Sequence, residues 1–208
     1  MELILEKPKS IFWIVVVNTL TASRLVIAYI IGETVYYQPV FDLTMFGLVL
    51  GGGLTDLFDG ILAKVCNART RLGALFDKGA DKIFVTTVNF SLYFCTPFTS
   101  SLDAYLTIFL VVVLVLEELT LSFFGIFFAA KYKTRREANR WGKAKMDVEV
   151  FAAGYWALAL AAPSIGNQFL LLFFYIECIN VFLLASILLA GKSGWDYLCD
   201  YRNRKKSP

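Results

Sequence analysis

Apolar residues in this chain come in long blocks, without the strict alternation of half-buried strands or the narrow stripe of a soluble surface helix. Polar punctuation separates six blocks near the bilayer-spanning length of about 20 residues. They cover 18–36, 40–63, 74–94, 104–130, 146–162 and 169–190. Turn-forming runs such as Cys95-Thr96-Pro97 and Pro163-Ser164-Ile165-Gly166-Asn167 divide neighbouring blocks. A backbone in hydrocarbon must satisfy its own hydrogen bonds, so the pattern predicts an all-α integral membrane protein with six transmembrane helices. Residues 11–17 are also apolar and follow Lys7 and Lys9, with no small-residue cleavage site behind them. A short interfacial helix is therefore expected over 1–17, the alternative being a longer first span. The six-helix domain then occupies 18–191, and 192–208 forms a basic tail.

Composition agrees with that layout. Hydrophobic residues make up 58% of the chain, charged residues 18%, and mean hydropathy is +0.63. Soluble domains carry about 45–50% apolar and about 25% charged residues. A disordered chain, a nucleic-acid-binding tail protein and a disulfide-stapled secreted domain are excluded, and no nucleic-acid partner is expected. The four cysteines show no paired spacing. Net charge is only +3, but none of the 20 Lys and Arg lies in 25–63, 83–130 or 146–191. With six spans, both termini and the 64–73 and 131–145 loops share one face and hold nearly all of these cations. The positive-inside rule makes that face cytoplasmic. The 131–145 cluster suits anionic membrane lipids as partners.

Scarce charge makes the intramembrane acids conspicuous, because each costs about 2.5–3.5 kcal/mol at a helix centre. Asp56 and Asp59 are i,i+3 near the end of the second span, and Asp77 and Asp81 are i,i+4 at the start of the third. Each pair shares a helix face. The connecting loop should make the two helices antiparallel neighbours near the cytoplasmic surface. Oxygen-only ligands without His or Cys point to a hard divalent ion, Mg²⁺ or Mn²⁺. Because the chain has no histidine, a general base must be a carboxylate, Tyr, Lys or Cys.

The stretch Asp56-x-x-Asp59-Gly60-x-x-Ala63-Lys64-(x)8-Gly73-x-x-x-Asp77-x-x-x-Asp81 resembles the signature of the CDP-alcohol phosphotransferase family. That signature reads D-x-x-D-G-x-x-A-R-(x)8-G-x-x-x-D-x-x-x-D; seven of its eight fixed positions match, and Lys64 stands at the family's Arg. The resemblance implies an integral membrane enzyme that moves a phosphoalcohol group from a CDP-linked donor to an acceptor alcohol and releases CMP. It further implies that Asp56, Asp59 and Asp77 hold metal, with two ions expected. Asp81 would help hold the second ion or act as the base that deprotonates the acceptor. Gly60, Ala63 and Gly73 would then lie against the nucleotide, while Lys64 or Arg71 meets phosphate. Lys is a point charge where Arg offers two parallel donors, so Arg69 and Arg71 could share that task.

Other segments are similar to the phosphatidylglycerophosphate synthases of that family. Asn18, Thr21 and Arg24 follow their N-x-x-T-x-x-R pattern, which assigns Thr21 and Arg24 to the site or the nucleotide. Gly142-Lys143-Ala144-Lys145 resembles their G-K-x-K segment. Arg140, Lys143, Lys145 and Glu117 become candidates for an acceptor pocket suited to a small phosphorylated or polyol alcohol. The donor would be CDP-diacylglycerol and the acceptor glycerol 3-phosphate. Inositol phosphate, phosphatidylglycerol and serine stay open as acceptors, because the usual fourth-span Arg-Glu pair is Leu116-Glu117 here. A divalent-cation transporter is the rival from another class, and a catalytically silent scaffold would rest on Lys64 alone. Gly47 and Gly51, at small-x-x-x-small spacing, are expected to pack helices closely. Association as a homodimer stays open.

Overall fold

The computed structural model describes residues 11–66, 68, 70–132, 140–162 and 175–206. Six helices account for almost all of them, and no strand occurs among the described residues. They are α1 (Ile11–Tyr37), α2 (Leu43–Val65), α3 (Arg71–Cys95), α4 (Ser101–Tyr132), α5 (Arg140–Ala161) and α6 (Tyr175–Lys206). They fall into two units, 1–95 with α1 to α3 and 96–208 with α4 to α6.

Local chemistry sets the helix ends of the first unit. Gln38-Pro39 follows α1, and the Asp42 carboxylate accepts the Met45 N–H at 2.9 Å to cap α2. Thr70 caps α3 in the same way, its hydroxyl accepting the Gly73 N–H at 2.9 Å. Gly73 therefore lies in the first turn of α3, and the α2–α3 connection is shorter than the expected 64–73 loop. The buried side of α1 is Thr21, Arg24, Ala28, Ile31 and Val35. That 3,4,3,4 spacing is the seam a helix presents when it packs lengthwise on neighbours. Accordingly α1 packs along both α2 and α3, which meet each other only briefly. The direct pairing of α2 with α3 expected from their short loop is thus replaced by a shared packing on α1.

One close approach of α2 to α3 lies at Gly52, where a Cβ would come within 2.3 Å of the Phe84 ring. At Gly47 and Gly51 a Cβ would meet nothing within 4 Å. Close packing belongs to the neighbouring glycine, because only that one faces α3.

In the second unit α6 is the central element, packed along α5 and α4. Buried Leu110, Leu114, Ala152, Trp156, Ile179 and Leu183 supply its apolar interior. Two buried hydrogen bonds add to it. Thr107 Oγ1 donates to Asn180 Oδ1 at 2.9 Å, joining α4 to α6, and Trp156 Nε1 donates to Thr96 Oγ1 at 2.9 Å. Such bonds between polar side chains hold helices together where no water competes.

Four helical stretches are long and apolar enough to cross a membrane: Ile11–Tyr37, Leu43–Val65, Ser101–Phe123 and Ile176–Asp196. With the many large apolar side chains on their outer faces, they make the chain an integral membrane protein. Helices α3 and α5 carry their charges in their first halves and are uncharged and mainly apolar only over 83–95 and 150–161. The expected six spans thus divide into four apolar helices and two that combine a charged half with an apolar one. No break separates 11–17 from the first span, since α1 runs unbroken through Asn18; residues 1–10 lie outside the described residues. Likewise α5 begins at Arg140 within the expected basic loop, and α6 continues to Lys206 through most of the expected tail.

Candidate functional site

The seam of α1 carries two polar groups, Thr21 and Arg24, and both turn into an acidic cluster. Arg24 is fully buried. Its Nη1 lies 2.8 Å from Asp56 Oδ1, and its Nη2 lies 2.6 Å from Asp59 Oδ2 and 3.6 Å from Asp77 Oδ1. Thr21 Oγ1 donates to Asp59 Oδ2 at 3.1 Å and lies 3.2 Å from the Val17 carbonyl. One helix therefore supplies the donors, and the two helices packed on it supply the carboxylates. Asp59 is buried at the closed side, whereas the side chains of Asp56 and Asp77 are each 43% exposed. The cluster is closed by protein on one side and accessible on the other.

Carboxylate oxygens of Asp56, Asp59 and Asp77 all lie within 4.8 Å of one another. One guanidinium against three carboxylates leaves two negative charges uncompensated, and Asp77 Oδ1 is buried without a hydrogen-bond partner. An all-oxygen donor set with spare lone pairs and excess negative charge fits a hard divalent cation. The residues present thus suit the metal that the sequence pattern suggested.

Asp81 is one turn further along α3 and is not one of the three converging carboxylates. It is half-buried, with Lys82 Nζ 3.9 Å from its Oδ2. Gly60 follows Asp59 on the open side, and a Cβ there would meet nothing within 4 Å. Ala63 lies one turn on, its carbonyl accepting the Ala68 N–H at 3.1 Å, and Lys64 is exposed in the last turn of α2. The Arg71 backbone opens α3, while its side chain and Arg69 lie outside the described residues. At Gly73 a Cβ would stand 2.7 Å from Thr70 Oγ1 and 3.1 Å from Asn18 Oδ1, so this glycine lets α3 start against α1. Beside it is a cavity of about 620 Å³ lined by Ile14, Asn18, Thr70, Leu72, Gly73 and Phe76. Sequence reasoning passed over Thr70. Its signal was a hydroxyl residue three positions before a required glycine, the usual spacing of an N-cap.

The second unit holds a separate buried ion group. Lys145, 2% exposed, pairs with Glu118 on α4 and with Glu149 on its own helix, the latter at 3.0 Å. Glu117, the acid expected near this lysine, keeps a buried Oε2 without a hydrogen bond. Arg140 is exposed at the start of α5, and the Lys143 side chain lies outside the described residues. Glu149 went unnoticed in the sequence, although it stands i,i+4 from Lys145.

Removing one member of a buried ion pair costs about 3–5 kcal/mol because its partner is left unpaired. Lys145→Met is therefore expected to lower the thermal midpoint of the purified protein in detergent markedly. Adding Glu118→Gln and Glu149→Gln should recover most of the loss. A wild-type midpoint for the single variant would contradict the pairing.

Comparison with known proteins agrees with the geometry. The family model described as CDP-alcohol phosphatidyltransferase matches residues 14–190, spanning both units. The chain is also similar to the CDP-diacylglycerol--glycerol-3-phosphate 3-phosphatidyltransferase of Aquifex aeolicus (strain VF5), with 32% identity over 180 residues. That alignment covers 86% of this chain and 92% of the relative. No solved structure gives a significant match.

Proposed function

Because the chain belongs to the CDP-alcohol phosphatidyltransferase family, we propose that it transfers the phosphatidyl group of CDP-diacylglycerol to glycerol 3-phosphate and releases CMP. The observation that carries this reading is the convergence of Asp56, Asp59 and Asp77 around buried Arg24, at the positions of the family signature.

A divalent ion, Mg²⁺ or Mn²⁺ and in the full site two, supplies neutralisation of the donor pyrophosphate when bound. Asp56, Asp59 and Asp77 are the side chains that would hold it. Arg24 and Thr21 orient Asp59, fixing its carboxylate before substrate arrives. Gly60 presents backbone without a side chain to the nucleotide, with Ala63 beside it, and Lys64 and Arg71 meet its phosphates. Gly73 sets the start of α3, which places Asp77 one turn later. Asp81, outside the cluster of three, accepts the proton of the acceptor hydroxyl. The hydroxyl oxygen bonds to the β-phosphorus, the bond from that phosphorus to the bridging oxygen breaks, and CMP leaves with the bonding pair.

Arg140 and Lys143 supply positive charge for the acceptor phosphate, with Glu117 available to its free hydroxyl. Lys145 would join them only by exchanging a carboxylate for the phosphate, since Glu118 and Glu149 already hold it. In this reading the site opens to the cytoplasmic leaflet and both termini lie on that side, as the placement of Lys and Arg suggests. Anionic lipids gather at the basic face.

The test is CMP release from CDP-diacylglycerol by purified protein, with Mg²⁺ or Mn²⁺ and a panel of acceptors. Glycerol 3-phosphate should support turnover and yield phosphatidylglycerophosphate by mass, and a chelator should stop it. Turnover only with inositol phosphate, phosphatidylglycerol or serine would overturn the acceptor. Absence of CMP with every acceptor would overturn the reaction.

A further inference from the structure

Past Arg24, Glu33 is the one charged side chain that α1 carries. It stands nine residues on, about 13.5 Å along the axis and away from the acidic cluster. It lies on a stripe with Leu25, Tyr29 and Tyr36, and this stripe forms one wall of a groove of about 560 Å³. Ile83 and Thr87 of α3 form the other wall, and Tyr37 lies at the end of α1. The two helices come close at its floor, where a Cβ on Gly32 would sit 3.4 Å from Thr87 Cγ2.

The groove's charge is unbalanced. Glu33 is exposed, lies one turn beyond Tyr29 along the same groove wall, and makes no ion pair among the described residues. The chain has no Lys or Arg in 25–63 or 83–130 to supply one. Lys82, the basic residue of α3 next to this wall, lies five positions before Thr87 with its Nζ 3.9 Å from Asp81 Oδ2. A carboxylate flanked by apolar and aromatic surface, in a stretch of α1 without cations, is complementary to a cation from outside. Tyrosine faces attract a cation through the ring quadrupole. Tyrosine hydroxyls can donate to an adjoining phosphate, and the Leu25 and Ile83 side chains suit an acyl chain.

We propose that this groove binds a phospholipid whose headgroup carries a primary ammonium. Glu33 accepts hydrogen bonds from the ammonium, Tyr29 and Tyr36 flank it, and the lipid tail follows the groove between α1 and α3. A quaternary ammonium has no N–H to offer Glu33, and a glycerol headgroup has no positive charge.

The full chain, purified in detergent, would be examined by native mass spectrometry after exposure to equimolar phosphatidylethanolamine, phosphatidylcholine and phosphatidylglycerol with identical acyl chains. Wild type should retain the ethanolamine lipid at least tenfold over the other two. Glu33→Gln should lose that preference, and Tyr36→Leu should weaken it. Both variants should keep the wild-type thermal midpoint and wild-type CMP release, which keeps this test separate from that of the catalytic reading. Equal retention of all three lipids by wild type, equal retention of choline and ethanolamine lipids, or an unchanged preference in Glu33→Gln would each overturn the proposal.

Discussion

Asp59→Asn is expected to reduce CMP release by more than about 100-fold while leaving the protein folded. Loss of a partner that merely orients a metal ligand already costs about 10–100-fold. Asp59 is the buried member of the three carboxylates, held by Arg24 at 2.6 Å and by Thr21 at 3.1 Å. Asparagine has the same shape and can still accept from Thr21, so the neighbours need not move. What disappears is one negative charge facing the divalent ion. The concentration of Mn²⁺ needed for half-maximal residual activity should therefore rise as well, and a substitution that acted only by misfolding would not produce that shift. Asp81→Asn is the contrasting case. Asp81 stands outside the converging three, so this variant should lose turnover yet keep wild-type stabilisation by Mn²⁺ and wild-type binding of CDP-diacylglycerol. Near-normal turnover in Asp59→Asn would remove the metal centre from that position. Near-normal turnover in Asp81→Asn would remove the base.

The assignment of Thr21 and Arg24 to the site or the nucleotide was legible through the resemblance to the N-x-x-T-x-x-R pattern. The scarcity of charge made the aspartates conspicuous, and fixed signature spacing put them on known helix faces. Spacing along one helix cannot say which of four acids converge, however. That depends on α1 lying along both α2 and α3, a relation set by side chains scattered over three helices, including the fit of Phe84 over Gly52. Lys145 was harder still. Within a run of seven basic residues it reads as part of a solvated loop, and only Glu149 is a local clue. Its other partner, Glu118, comes from α4, and burial of the pair follows from tertiary packing. Span count was ambiguous for a related reason. The charged halves of α3 and α5 are the halves that carry the site and the buried ion group, so function and membrane patterning compete for the same residues.

Arg24→Gln should show the largest loss of stability of any substitution at the site, measured as the thermal midpoint in detergent with a chelator present. The guanidinium is fully buried and meets Asp56 and Asp59 through separate nitrogens, with Asp77 at 3.6 Å. Removing one side of such a group leaves the like charges of α2 and α3 facing one another, a cost of about 3–5 kcal/mol. Arg24→Lys should fall between the two, since a single ammonium cannot reproduce the two-pronged contact. Divalent metal separates this account from a simple packing defect. Ligand at about 100 times its dissociation constant stabilises the state that binds it by about 2.7 kcal/mol. In wild type the dication must approach oxygens that Arg24 already holds, and the two cations repel. Without Arg24 the same oxygens are free and more negative, so Mn²⁺ should raise the midpoint of Arg24→Gln by more than it raises that of wild type. Activity should stay low even then, because Asp59 no longer has the donor that fixes its orientation. A variant as stable as wild type in chelator, or one that gains no more from Mn²⁺ than wild type does, would show that Arg24 is not the built-in counter-ion of the acidic cluster.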